Sequence, residues 1–165
     1  NSQRNMYIMK ATIETFYEAF KNLDAEAMVN CYHDAVVFED PAFGVLKGES
    51  AKGMWRMLCA SQKNKNFKVV VSNIEAHKTL GSAHREVFYT FSKTGRKVHN
   101  KVEAQFQFKD GLIIKHSDNF NLHHWAKQAL GFKGFLLGGT SYFSSKLKLQ
   151  TNKMLNNYLN EKKAI

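Results

Sequence analysis

From Gln3 to Asn22 apolar side chains recur at helical spacing. Met9, Ile13, Phe16, Tyr17 and Phe20 share one face, and Lys10, Glu14, Glu18 and Lys21 lie mostly opposite. This pattern predicts a long amphipathic helix. Asp24 is a good N-cap for a second, short helix running through Met28 to about Tyr32. Val36 to Glu39 reads as a short strand that runs into Asp40-Pro41, and a loop follows from Gly44 to Gly48. Ser50 is placed to cap a third helix that carries Met54, Trp55, Leu58 and Cys59.

The period then changes. Phe67 to Ala76 holds Val69, Val70, Val71 and Ile74, and Arg85 to Ser92 holds Val87, Phe88, Tyr89 and Phe91. Lys93 to Arg96 forms a hairpin turn, and Val98 to Phe108 ends in strict alternation of polar and apolar residues. Asp110-Gly111 is a tight-turn signal, and Leu112 to Phe120 is a further strand. Antiparallel strands after a cluster of helices predict an α+β fold with a curved sheet. Beyond them, Leu122 to Leu130 is helical with Gly131 as its C-cap. Phe132 to Gly139 reads as a Gly-rich apolar connection. Lys146 to Lys163 is a last helix with Leu147, Met154, Leu155, Tyr158 and Leu159 inward.

Composition narrows the class. At 165 residues the chain is close to one domain, and 44% hydrophobic with 13% aromatic residues excludes disorder. No apolar run is long enough to span a bilayer. The opening residues Asn1 to Asn5 lack the apolar stretch of a signal peptide. Two cysteines, Cys31 and Cys59, suggest buried thiols in a reducing compartment, and the expected location is the cytoplasm. The net charge of +10 makes nucleic acid or an anionic membrane the first partners to consider. Residues 119–165, however, hold seven lysines and one acid, so most of the excess belongs to the tail. No nucleic-acid motif accompanies it, and neither nucleic acid nor membrane is the expected partner.

The order of elements around Val37-Phe38-Glu39-Asp40-Pro41 is distinctive. A long and a short helix precede it, Gly48 and a Trp-bearing helix follow, and Lys115-His116-Ser117-Asp118-Asn119-Phe120 forms the last strand. Over roughly residues 5–120 the chain resembles the nuclear-transport-factor-2-like superfamily, in its ketosteroid-isomerase and SnoaL-like polyketide cyclase branch. The segment after Phe120 is similar to the tail of uncharacterised bacterial members. The resemblance implies a cone domain over residues 1–120 whose curved sheet wraps the N-terminal helices around a deep apolar pocket. It also implies a homodimer and a helical extension, 121–165, packed on the same domain or on the dimer partner. It places Asp40 on the isomerase's general base. The oxyanion tyrosine falls on Phe16, next to Tyr17, and the protonated aspartic acid falls on Ala104. Loss of even one oxyanion donor typically costs ~10²–10³ in rate, which argues against steroid isomerisation itself. Asp118 resembles the acid/base aspartate that SnoaL-like cyclases carry on a cavity strand.

Three groups of residues carry candidate chemistry. Asp40, in a pocket lined by Phe16, Tyr32, Trp55 and Phe106, would be desolvated and its pKa raised, which suits a base near neutral pH. The same aspartate also fits a plain turn cap ahead of Pro41. His116 and Asp118 are two apart on a strand and share a face, so they join Asp40 as an acid/base set, or form an exposed pair on the opposite face, or His116 is a satisfied core histidine. Trp55, Tyr17, Tyr32, Tyr89 and Phe106 are walls for a flat hydrophobic ligand or ordinary core. Asn100 adds a hydrogen-bond donor if the strand alternation holds. His123-His124-Trp125 with Lys127 reads as a lid or interfacial segment, or as a structural appendage. The histidines do not converge with metal spacing, so no metal and no cofactor are expected. The expectation is a small-molecule enzyme of the isomerase, cyclase or dehydratase kind with Asp40, His116 and Asp118 as its catalytic groups. The alternative is non-catalytic holding of a hydrophobic small molecule.

Overall fold

The computed structural model describes residues 1–165. Helix α1 (Ser2–Lys21) buries Met9, Ile13, Phe16, Tyr17, Ala19 and Phe20, the face its periodicity marks. The Asp24 side chain accepts the Ala27 N–H and starts α2 (Ala25–Val29). Strand β1 (Tyr32–Asp40) is longer than the apolar run alone suggests, and Gly44 to Lys47 is a short strand, β2, where a loop was expected. Helix α3 (Glu49–Gln62) begins after Gly48, not Ser50. Gly48 sits at φ +54 and donates its N–H to the Val36 carbonyl, a turn that hands the hairpin over to the helix.

The remaining strands are β3 (Lys68–His77), β4 (Leu80–Phe91), β5 (Arg96–Lys109) and β6 (Leu112–Asn119). Asp110 and Gly111 both have positive φ, the backbone that a two-residue hairpin needs to match strand twist. The sheet runs β2-β1-β6-β5-β4-β3, antiparallel except for the parallel pair β1 and β6. That pair sets the site. It puts Phe38 opposite His116, so Asp40, two residues further on the same face, comes beside Asp118. On the other side of β6, Phe106 pairs with His116 and Ala104 with Asp118, while Arg85 on β4 pairs with Val102. The inner face of β4 reads Gly81, Ala83, Arg85, Val87 and Tyr89.

The tail is built onto the same core. Helix α4 (Leu122–Leu130) is capped by Asn121 and ends at Gly131, φ +67, and Trp125, Ala126 and Ala129 pack with Val98 of β5. Phe132 to Leu137 forms a one-and-a-half-turn helix, α5, in place of the expected connection. A Cβ at Gly134 would collide with the Ala126 carbonyl, so only glycine lets α5 lie so close on α4. Helix α6 (Ser141–Lys163) starts five residues before the apolar pattern, where Thr140 accepts the Phe143 N–H. Leu155 is its one fully buried residue; Leu147, Tyr158 and Leu159 are half-buried. Met154, expected inward, is 46% exposed, because α6 meets α3 along Leu155 and Leu159, and Met154 falls off that line. Thr151 Oγ1 and Asn152 Nδ2 donate to the carbonyls of Ala42 and Phe43, both at 2.8 Å, so α6 also grips the β1–β2 turn. No helix is long and apolar enough to cross a membrane.

Candidate functional site

The inner rings of the cone meet one another. Phe16 stacks on Tyr32 at 5.4 Å, Trp55 stacks on His116 at 6.1 Å, and Phe106 lies 4.4 Å from His116. Phe16, Tyr17, Tyr32, Trp55 and Phe106 are all at most 3% exposed, so these expected wall residues are close-packed in the core.

Threaded through the rings is a chain of polar groups. Trp55 Nε1–H donates to the Tyr32 hydroxyl at 2.8 Å, and that hydroxyl lies 2.7 Å from His116 Nδ1. His116 Nε2 lies 2.7 Å from Asp118 Oδ1. Matching donors to acceptors gives one arrangement. Tyr32 accepts from Trp55 and donates to Nδ1, and the Nε2–H of His116 donates to the carboxylate. Both ring nitrogens of His116 are thereby used inside the protein.

Asp118 is closed by Arg85, whose Nη2 stands 3.0 Å from Oδ2. The contact is a close ion pair with poor hydrogen-bond alignment, so Asp118 Oδ2 accepts no well-formed hydrogen bond, and Arg85 Nε and Nη1 and the Tyr17 hydroxyl are likewise buried without partners. The guanidinium also lies over Phe20 at 5.5 Å and Trp55 at 5.6 Å. Burial alone would raise the Asp118 carboxyl, but Arg85 and His116 outweigh it and hold it below its ordinary value. Burial likewise opposes the Arg85 charge, and Asp118, Tyr17 and Asp40 together keep its pKa above the usual one. Tyr17 and Tyr32 are raised, chiefly by burial and next by the Asp118 charge.

Asp40 differs from this set. It is half-buried at the end of β1, with an exposed edge. Its Oδ1 accepts the Ala42 N–H at 2.9 Å and the Phe43 N–H at 2.6 Å, the turn-cap arrangement, while Oδ2 has no protein partner. The Asp40–Pro41 peptide is trans. Burial pushes the carboxyl up to about 6, against the two backbone donors, and the nearby Asp118 charge adds to the rise. Tyr89 is near enough to feel the Asp40 charge, and its hydroxyl accepts Trp125 Nε1–H at 2.7 Å. Asn100 points inward on β5 at 9% exposure, and its amide makes no side-chain hydrogen bond within the protein.

The alternation of Ala83, Val87 and Tyr89 was the signal for Arg85, the buried residue that sequence reasoning left unassigned. Two surface hollows stand apart from this cluster. One is lined by Lys10, Glu75, His77, Leu80 and Gln105, the other by Asn64, Lys65, Thr90 and Ser92, and neither reaches Asp40 or Asp118. No three His, Cys, Asp or Glu side chains converge as metal ligands. Cys31 and Cys59 are buried and unpaired, and burial pushes both thiols up to about 11.

The sequence profile of the SnoaL-like domain matches residues 13–116. Among solved structures, an LEH-like epoxide hydrolase from M. tuberculosis aligns over 81% of this chain and 92% of its own, with TM-score 0.59 and 21% identity. A candidate polyketide cyclase from Xanthomonas campestris pv. campestris aligns over 75% and 98%, with TM-score 0.62 and 20% identity. Bal32a, from a soil-derived mobile gene cassette, aligns over the same shares with TM-score 0.65 and 17% identity. At these identities the likeness is one of fold. A comparison with curated proteins finds no match.

Proposed function

The chain belongs to the SnoaL-like domain family, and on that premise we propose that it is a cofactor-independent enzyme in which Asp40 moves a proton on a hydrophobic small molecule. The reaction class is isomerisation, cyclisation or dehydration. The observation that carries the reading is the Asp40 carboxylate: one oxygen fixed by two backbone N–H groups, the other without a protein partner, and a pKa of about 6. A base with that value is roughly nine-tenths ionised at neutral pH yet binds a proton well enough to return it, the compromise that general base catalysis favours.

We read His116 and Asp118 as positioning groups, with His116 as a satisfied core histidine, and not as members of the acid/base set. Both nitrogens of His116 are engaged, and Asp118 is held as a carboxylate by Arg85. They form a rigid polar floor that positions the inner face beneath Asp40. Tyr89 keeps its hydroxyl hydrogen after accepting from Trp125, and the Asn100 amide is a second donor. These two are the groups we assign to the substrate's carbonyl oxygen while Asp40 Oδ2 takes a proton from the neighbouring carbon.

The test is deuterium exchange into a panel of apolar ketones and 1,3-dicarbonyl compounds in D2O, followed by NMR. The protein should accelerate exchange with at least one member, with an acid limb near pH 6, and Asp40→Asn should abolish the effect. Equal exchange by Asp40→Asn and the parent protein would remove Asp40 from the reaction. A second reading, ligand holding without turnover, is favoured by Phe16 and Ala104, which carry no oxyanion donor. An apolar molecule co-purifying unchanged, together with no exchange on any panel member, would establish it.

A further inference from the structure

Helix α5 is amphipathic in the reverse sense. Its inner face is glycine: Gly134 is buried against Ala126, and Gly138, just past its end, packs on Ala126 and His123. Its outer face is large and apolar. Phe132 is 73% exposed, Phe135 50%, Leu136 57% and Leu137 49%, with Phe132 and Phe135 stacked 6.5 Å apart. A soluble helix normally turns these residues inward. Here the tight glycine packing on α4 leaves them no route to the core, so four neighbouring large side chains share one exposed edge of the protein.

From Asn119 to Asn160 the chain carries five lysines and no acid. Lys127 places Nζ 5.5 Å over the Phe135 ring, Lys133 lies within α5, and Lys146 follows at the start of α6 with Nζ 5.7 Å over exposed Tyr142. The one acid of the tail, Glu161, lies at the far end of α6. A second copy presenting the same patch would bring lysines against lysines. An apolar face on a stretch of chain whose only charged side chains are lysines fits a surface that is apolar inside and anionic at its boundary.

We propose that α5 with the start of α6 is a peripheral docking surface for anionic lipid bilayers. Phe132, Phe135, Leu136 and Leu137 enter the headgroup–acyl boundary, and Lys127, Lys133 and Lys146 contact the anionic headgroups. This gives part of the tail charge a partner that the sequence alone did not lead one to expect, and it stands independently of the chemistry at Asp40.

The experiment is vesicle flotation with the full chain. Vesicles of phosphatidylcholine alone are compared with vesicles containing one-third phosphatidylglycerol, each at low and high salt. The expected result is binding to the anionic vesicles only, weakened by salt as a headgroup contact requires. The triple variant Phe132→Ser/Phe135→Ser/Leu136→Ser should bind at least about tenfold more weakly, since it removes most of the inserted apolar surface. Lys127→Gln/Lys133→Gln should lose the preference for anionic vesicles. All of these residues are surface groups, and circular dichroism confirms that the variants fold. Failure of the parent protein to float with anionic vesicles overturns the proposal. So does equal binding by the triple variant, or sedimentation showing that the patch is consumed in self-association.

Discussion

Replacing Arg85 by Met tests the buried floor of the site directly. The Met side chain keeps the packing of the arginine stem against Phe20 and Trp55 but withdraws the charge. Arg85 and Asp118 stand 3.0 Å apart with side chains 9% and 0% exposed. At an effective dielectric of about 20 their attraction is about 5 kcal/mol, and desolvation offsets much of it. What the variant exposes is the cost of the partner left behind. Asp118 would remain a buried carboxylate facing only the His116 N–H, and such deletions cost about 3–5 kcal/mol. Against a total stability of ~5–15 kcal/mol, that is a large share. Urea unfolding at pH 7 should show this loss. The loss should shrink as the pH falls, because Asp118 without its cation takes up a proton more readily and sheds the buried charge. The double variant Arg85→Met/Asp118→Leu should recover part of the stability, since it removes the stranded carboxylate but leaves the His116 Nε2–H without its acceptor. The reasoning fails if Arg85→Met costs less than about 1 kcal/mol at pH 7, or if the double variant is no more stable than the single one.

Asp40 binds its proton more tightly in the folded chain than its ordinary value of 3.8, so its contribution favours the fold below that value and is lost as the pH rises through about 6. Asp40→Asn should therefore gain stability over the parent protein between pH 5 and pH 8, approaching about 3 kcal/mol, with little difference near pH 3; urea midpoints across that range measure it. Asp118 works in the opposite sense: its lowered pKa stabilises the fold above the ordinary carboxylate value and the gain is lost in acid, so acid unfolding of Asp118→Asn should be less steep. Leu155→Ala should cost about 2–5 kcal/mol in chemical denaturation, because Leu155 is 1% exposed although it lies in the tail. Gly134→Ala should lift α5 from α4, and hydrogen exchange by mass spectrometry should show faster exchange confined to residues 126–138.

Much of the cone was legible in the chain because burial there follows a simple period. Met9, Ile13, Phe16, Tyr17 and Phe20 are inward as helical spacing requires, and Asp24, Asp110-Gly111 and Gly131 mark ends and turns whose backbone demands those residues. The parallel pairing of β1 with β6 has no local signature, since it joins segments nearly eighty residues apart. It is also what brings Asp40 to Asp118. Arg85 was hidden for another reason: a charged residue in an apolar phase looks like a break in the pattern until its counter-ion appears on a different strand. Helix α5 was hidden because glycine, which usually interrupts helices, is here the packing surface. The polar chain from Trp55 to Arg85 combines α3, β1, β6 and β4, and only the three-dimensional register shows that its members touch.

The grip of α6 on the Asp40 turn has a consequence for how the protein is made. Ala42 and Phe43 lend their N–H groups to Asp40, and their carbonyls are held by Thr151 and Asn152, 109 residues further along. A ribosome delivers the helices and strands of the cone well before it delivers those two side chains. The nascent protein thus passes through a stage in which the sheet can pair while the candidate base still sits on an unclamped hairpin. Closing so long a loop is among the slow steps of folding, so protection of the Ala42 and Phe43 amides from hydrogen exchange should lag behind the appearance of β-structure during refolding. The clamp on the Asp40 turn thus forms only once α6 is in place, although α6 lies outside residues 13–116, the span of the matched family domain.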